Sequence, residues 1–516
     1  MPLNPKGTNP LVQLPEVLAV GFSGHRKVPY ETKSRQVIRD FLARQKESHP
    51  GILYAVSSVA AGGDQLFAES CIELGIPLRI LLPRPAEQFR ADFDDASWLR
   101  TVHIMENAIS IEVTGRYEAQ NQQYYDCGIQ TVAESQLLVA LWDGQPSRGT
   151  GGTQEMVSYA RKTGHPVAWI HSENGELQWL NKDALEHIDS SDELEFLNHL
   201  PDASVGANID ARPGAGPDAS VAAPAASSRD LAQAWLDKTD ANANRFAPQA
   251  RRVASIPIVY TAAAAVMSGV APEIPGAAPW LAISAALGII ALALPAILRV
   301  HARQALWART RTAAEIARSI LVTWNTPRQY EVIGAEVAPW LSGILRSLNF
   351  LKLEDNHHAE TPLSDFKQEY RRDRVAHQIE YFSRQARKAA RQERRYGAVG
   401  WICGALATLI AVACLSGGLQ WLANHGFSGR QWLALTMSAL FEVATMAGAF
   451  ASMKDCARRR RRYRELSHAL LRWDKQLEAL NTWNSVLRVV ERIERALIVE
   501  LFEWRSLVLG AGSHKG

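Results

Sequence analysis

Cysteine is scarce in this chain of 516 residues. The five present, Cys71, Cys127, Cys403, Cys414 and Cys456, show no CxxC and no His-spaced pairing. That excludes a disulfide scaffold and argues against a zinc module. An excess of one charge is missing too: 56 Lys and Arg face 53 Asp and Glu, a formal net charge of +3. No global field marks nucleic acid as a partner, and none is expected. Residues 1–16 hold Pro and polar residues where a signal peptide would carry its apolar core, so the N-terminus is expected to stay in the cytoplasm. Neither the GxxxxGK[ST] loop nor the GxGxxG spacing occurs, which disfavours a P-loop ATPase and an NAD dehydrogenase.

What the chain does have is apolar residues, 47% of the total, unevenly distributed. Four runs stand out, at 253–271, 277–298, 397–419 and 432–453. A helix of ~20 residues crosses a hydrocarbon core of about 30 Å. The spacing therefore predicts two membrane hairpins, one turning at Pro272-Glu273-Ile274-Pro275-Gly276 and the other at a polar link holding Asn424, His425 and Arg430. Basic residues stand at every outer end: Arg251 and Arg252, Arg299 and Arg303, Arg391, Arg394 and Arg395, then Lys454 with the run from Arg458 to Arg462. By the positive-inside rule both termini and the long middle segment are cytoplasmic. The Arg run reads as a topology anchor touching anionic lipid. Trp280, Trp401, Trp421 and Trp432 sit near the predicted ends, as interfacial anchors do. Glu442 falls inside the fourth run. A carboxylate at that depth is costly, so it either lines a pore or makes a protonated interhelical hydrogen bond.

The order amphipathic helix, span, span, long helix occurs twice. Arg311-Thr312-Ala313-Ala314-Glu315-Ile316-Ala317 leads to Trp324 after the first hairpin, and Arg461-Arg462-Tyr463-Arg464-Glu465-Leu466-Ser467 leads to Trp473 after the second. This arrangement, over about 230–510, resembles the SLATT membrane modules of bacterial conflict systems through its hydropathy and its Glu315 and Glu465 contexts. The resemblance implies a pore-forming or membrane-perturbing effector in a bacterial inner membrane, with self-association plausible.

Upstream, residues 15–172 alternate short apolar stretches with helical segments. Strands are predicted at 17–22, 52–57, 78–82, 109–113, 137–142 and 167–170. Such alternation implies a mostly parallel sheet covered on both faces, with ligands bound beyond the carboxyl ends of its strands. Small and polar residues gather there. Gly21-Phe22-Ser23-Gly24-His25-Arg26 follows the first strand, where glycine permits close approach and Ser23 and Arg26 suit phosphate. Ala60-Ala61-Gly62-Gly63-Asp64 follows the second, with Asp64 placed to cap a helix or bind a ribose hydroxyl. Asp143-Gly144 follows the fifth, and Gly149-Thr150-Gly151-Gly152-Thr153-Gln154-Glu155 opens a helix whose N-terminus suits phosphate. The competing reading is that Gly62, Gly63, Gly151 and Gly152 simply make tight βα turns, and His25 could equally be a turn residue bonding its own backbone.

These ordered elements, with Leu141-Trp142-Asp143-Gly144, resemble the SLOG superfamily, the Rossmann-like domains shared by DNA-processing A proteins and the LOG phosphoribohydrolases. The likeness covers about 15–175. It implies a nucleotide-derived ligand held by Gly21, Ser23, Gly24, His25, Arg26, Gly62, Gly63, Asp64, Asp143, Gly151, Gly152, Thr153 and Glu155, with no other cofactor and no metal. The LOG enzymes carry Pro-Gly-Gly-x-Gly-Thr before their catalytic glutamates. The leading Pro-Gly-Gly is missing here, which favours sensing over hydrolysis. The alternative is a membrane-tethered N-glycosidic hydrolase with Glu155 as acid/base and Asp64 orienting ribose.

The expectation is thus an α/β Rossmann-like domain followed by an all-α membrane region. Its divisions are a nucleotide-binding domain over 1–200, a linker rich in Ala, Pro and Gly over 201–229, and two helix and hairpin modules over 230–345 and 346–516. Its partners are a nucleotide, the lipid bilayer and further copies of itself.

Overall fold

Short unbroken apolar runs such as Leu78–Leu82 and Leu137–Trp142 cannot leave either face to water, so they become central strands of a parallel sheet. The computed structural model describes residues 12–114, 119–147, 149–187, 192–201, 227–270, 278–297, 300–326, 339–355, 361–415, 429–453 and 455–509. It contains a seven-stranded sheet of β1 (Val17–Gly24), β2 (Ile52–Ser57), β3 (Leu78–Leu82), β4 (Ser110–Val113), β5 (Leu137–Trp142), β6 (Val167–His171) and β7 (Leu177–Leu180). The order is β4-β3-β2-β1-β5-β6-β7, parallel throughout except for the antiparallel β6–β7 pair. Each of the six expected strands is present. β7, a four-residue edge strand, was not expected.

Helices α1 (Glu31–Ser48), α2 (Gly63–Glu73), the short α3 (Ala86–Phe89) and α4 (Asp95–Glu106) follow β1 to β3, and α5 (Gln120–Ala133) and α6 (Thr153–Lys162) follow β4 and β5. On one face Ile38, Phe41 and Leu42 of α1 and Leu66 and Phe67 of α2 pack on Val20, Phe22, Ala55 and Ile80. The rings of Phe22 and Phe67 stack at 4.5 Å. On the other face Val132 of α5 and Met156, Val157 and Ala160 of α6 cover Leu138 and Ala140. α7 (Asp192–Asn198) completes the series.

Downstream lie α8 (Ser228–Val270), α9 (Ala278–Ile297), α10 (Val300–Val322), α11 (Ser342–Asp355), α12 (Leu363–Glu369), α13 (His377–Leu415), α14 (Gly429–Met453), α15 (Cys456–Ala479) and α16 (Trp483–Leu509). The chain divides into two units: Met1–Thr239 with Ile316–Glu360, and Asp240–Glu315 with Thr361–Gly516. This division does not coincide with the boundaries expected at 200, 229 and 345. The physical reason is visible in the first unit, where the apolar face left by Val17, Ala19, Tyr54, Val56 and Leu81 is closed by Phe350 of α11. Arg346 Nε donates to the Val17 carbonyl at 3.2 Å and Ser347 Oγ to Pro15 at 2.6 Å. The first turns of α8 belong here as well. Trp235 Nε1 donates to Asn198 Oδ1 at 3.0 Å, and Lys238 Nζ donates to the Asn198 carbonyl at 2.8 Å.

In the second unit α12, a π-helical turn at Tyr370–Ala376 and α13 run on without a break. They lie antiparallel to α14 and α15. Arg371 pairs with Asp474 at 2.8 Å, Ser383 meets Ser467 at 2.9 Å, and the rings of Tyr396 and Phe450 stack. Arg374, buried on the π turn, places Nε and Nη2 on Glu494 at 3.0 and 2.7 Å and Nη1 on Glu315 at 2.9 Å. Glu465, the expected counterpart of Glu315, is instead exposed and pairs with Arg461 one turn earlier.

Among the described residues one helix, Leu363–Ala413, is long and apolar enough to cross a membrane, and Ala278–Leu294 is apolar but shorter. Four spans were expected. Residues 271, 277, 298 and 416–419 of those four runs lie outside the described residues, and the described part shows this one candidate. Glu442 is half-buried on α14. Most of the linker and both inter-span links, Trp421 included, lie outside the described residues.

Candidate functional site

The sheet reverses its winding between β1 and β5, because β2 to β4 extend from one side of β1 and β5 to β7 from the other. A crevice at the carboxyl ends of these two strands is the expected ligand position in such a sheet. His25 and Asp143 meet there. Nε2 of His25 lies 3.0 Å from the Asp143 backbone nitrogen and 3.0 Å from Asp143 Oδ1. With Nε2 unprotonated the ring accepts the amide hydrogen, and with Nε2 protonated it donates to the carboxylate.

The glycines divide by role. Gly21 is interior to β1, where a Cβ would fall 2.5 Å from Ser135 Oγ, so it serves strand-to-helix packing. Gly24 and Gly63 bring the loop after β1 against the start of α2. The Gly63 amide donates to the His25 carbonyl at 2.9 Å, and a Cβ on Gly24 would sit 3.2 Å from the Gly63 Cα. Gly62 has φ +90°, and a Cβ there would lie 2.2 Å from the Arg26 carbonyl oxygen. Asp64 completes this clasp from inside the first turn of α2. Its Oδ1 accepts from the Gly24 amide at 3.1 Å, and its Oδ2 accepts from the Ser58 hydroxyl and the Ala60 amide. It is 4% exposed, and burial pushes its carboxyl up to about 6 against the hydrogen bonds that favour ionisation. The Gly62-Gly63-Asp64 donors and acceptors are therefore spent on holding two loops together.

The loop before α6 is more open. Gly151 has φ +82° and presses on the Tyr124–Tyr125 backbone, where a Cβ would come to 2.8 Å. The Gly151 amide donates to Glu155 Oε2 at 2.5 Å, so the carboxylate named as an acid/base closes its own loop. Gly152 is the N-cap of α6 and supplies no side-chain cap to the amides of the first turn, which starts at the buried Thr153. Ser23 is half-buried and, by strand alternation, faces the same side as Gly21.

Sequence reading missed the residues that give this edge its charge. Arg84, just after β3, and Arg26 both lie over the Tyr124 ring, with Cζ at 5.7 and 5.3 Å from its centroid. Asp92 accepts from Arg84 at 2.5 Å, from Arg26 at 3.2 Å and from the Tyr124 hydroxyl. Two guanidiniums share one carboxylate, and the buried Arg84 Nε has no partner in this set. Arg84 was recoverable only from its position after a strand, and Tyr124 stands on a helix whose approach to the edge no local pattern shows. A cleft of about 710 Å³ at the opposite edge is lined by Glu16, Glu195, His199, Ser228 and Glu354, an acidic wall unsuited to phosphate. No metal-holding cluster occurs among the described residues.

No protein-family model matches the chain, and no curated protein matches it.

Proposed function

We propose that this chain is a nucleotide-sensing membrane effector of the kind its SLOG-like and SLATT-like resemblances imply. The first unit binds a nucleotide-derived ligand at the β1/β5 edge, and the second acts on a bacterial inner membrane that it crosses several times. The observation that supports ligand binding is the convergence of His25, Asp143, Arg26, Arg84 and the uncapped start of α6 on one crevice. Guanidiniums beside a helix start without a side-chain cap suit a phosphate. Membrane action draws on exposed apolar side chains on four helices, among them Val259, Leu281, Ile289, Leu292, Leu409 and Phe441, which water would not tolerate in such number. α8 and α10 each contribute residues to both units. For the ligand to switch the membrane unit it must bind the active form more tightly than the resting form.

A panel of nucleoside monophosphates and cyclic dinucleotides tests the first half by thermal shift of the full chain. One member should stabilise the protein without being consumed, and turnover of that nucleotide would replace the sensor by the hydrolase. Fusion reporters test the second. An even number of spans puts reporters at residue 220 and at the C-terminus on the cytoplasmic side, whereas a single span puts them on opposite sides.

A further inference from the structure

The second unit carries a ladder of cations and indoles that the nucleotide reading does not use. Trp307 and Arg311 stand four residues apart on α10 and so share a face. Arg251, on α8, lies over the Trp307 ring with Cζ 5.0 Å from its centroid, and Arg311 lies over Trp504 of α16 at 5.1 Å. The two indoles meet edge to face at 4.8 Å above the small Ala247 and Ala250. Arg459, at the start of α15, lies over Tyr463 at 5.5 Å, and its buried Nε has no hydrogen-bond partner.

A guanidinium stacked flat on a ring keeps its in-plane N–H groups free for an oxyanion. Arg251 makes no ion pair or hydrogen bond among the described residues, while Arg311 gives one N–H to the Tyr381 hydroxyl at 3.3 Å. The nearest carboxylates are committed elsewhere, Glu315 to Arg374 and Glu500 to Arg462. Partial desolvation of its guanidinium, followed by the neighbouring Arg311 and Arg459 charges, holds Arg251 below the usual guanidinium range although the residue as a whole is exposed. Three cations thus gather, Arg311 and Arg459 within electrostatic reach of Arg251, and the acidic groups that reach Arg311 and Arg459, Glu315 and Glu500, are each paired to another arginine.

We propose that Arg251, Arg311 and Arg459 form a phosphate site, walled by Trp307 and Trp504, that takes the headgroup of an anionic phospholipid. Its place in the chain argues for a lipid source. Arg251 directly precedes the apolar half of α8, and Arg459 stands within two turns of the end of α14, so both cations mark the polar ends of apolar helices. The lipid source shares the membrane reading above, whereas the phosphate chemistry is independent of it and of the nucleotide edge.

The test uses the full chain in neutral detergent micelles doped with phosphatidylglycerol or with phosphatidylcholine, and separately with inorganic phosphate. Bound lipid is read by native mass spectrometry and stability by melting. Phosphatidylglycerol should bind and stabilise, and Arg251→Gln and Arg459→Gln should each weaken it by about fivefold while melting as wild type in phosphatidylcholine. Arg251 is exposed, so its variant is expected to fold. Equal stabilisation by inorganic phosphate, lost in the same variants, would uphold the phosphate site and overturn the lipid source. Phosphatidylglycerol binding that survives both substitutions would overturn the site and leave the ladder as packing between helices.

Discussion

His25 and Asp143 join the two strands at which the sheet reverses: Nε2 of one stands 3.0 Å from both the backbone nitrogen and Oδ1 of the other. Their side chains are 28% and 16% exposed, so the contact still meets solvent. The His25 carbonyl also accepts the Gly63 amide, and its own amide donates to Leu141. One residue thereby ties β1 to both β5 and α2.

His25→Ala should separate these roles. The backbone bonds remain, and losing the side-chain bond should cost about 1 kcal/mol of stability. If His25 shapes the ligand floor, the melting shift produced by the best nucleoside phosphate should fall well beyond that loss. An unchanged ligand-induced shift in a slightly less stable protein would make His25 a turn residue alone.

Gly152 calls for a paired substitution. A Cβ there would lie 2.7 Å from Ser147 Oγ, so Gly152→Asp alone moves the loop as well as adding charge. Ser147→Gly with Gly152→Ala should fold and bind. Ser147→Gly with Gly152→Asp should fold equally and lose phosphate binding by at least about tenfold, through like-charge repulsion at the start of α6. Equal affinities in the two double variants would show that no anion docks there.

Asp64 makes the first unit's stability depend on pH. Burial raises its folded-state value to about 6 from an ordinary 3.8. Its protonated form is favoured in the fold, so this contribution is complete below about pH 4 and disappears as the pH rises through 6. The decline approaches 1.4 kcal/mol per pH unit, in all about 3 kcal/mol. Asp64→Asn cannot titrate, and denaturant melts of the two proteins from pH 4 to 7 should diverge by that slope. Parallel curves would show Asp64 to be ionised at ordinary pH.

Much of the first unit is legible in the sequence because its signals are local. Apolar runs such as Leu78–Leu82 declare buried strands, and glycines after strands declare tight βα turns. The roles of those glycines are not local. Gly62 and Gly63 meet a loop some forty residues earlier, and only the assembled sheet shows that Asp64 clasps it. Arg84 and Tyr124 were missed for the same reason, since a guanidinium stacked on a ring comes from a strand end and a helix on opposite sides of β4 in the chain. The apolar repeat in the second half shows where helices are, but not that Glu315 reaches Arg374 and Glu494 while Glu465 stays at the surface.

The largest departure from the expected layout predicts its own experiment. A fragment of residues 1–200 was the natural unit to isolate, yet it ends before α11 and the first turns of α8. Without them Tyr54, Val56 and Leu81 lose the cover of Phe350, whose ring is 5.5 Å from that of Tyr54, and Asn198 loses Trp235 and Lys238. Removing one buried aromatic costs about 3–5 kcal/mol, and a domain of this size has only about 5–15 to lose. The fragment should therefore be insoluble or bind hydrophobic dyes. In the full chain Phe350→Ala should lower the melting temperature of the first unit and leave the second unchanged, as read by hydrogen exchange in β2 and β3 against α13. A soluble, cooperatively melting 1–200 fragment would show that α11 decorates the sheet without completing it.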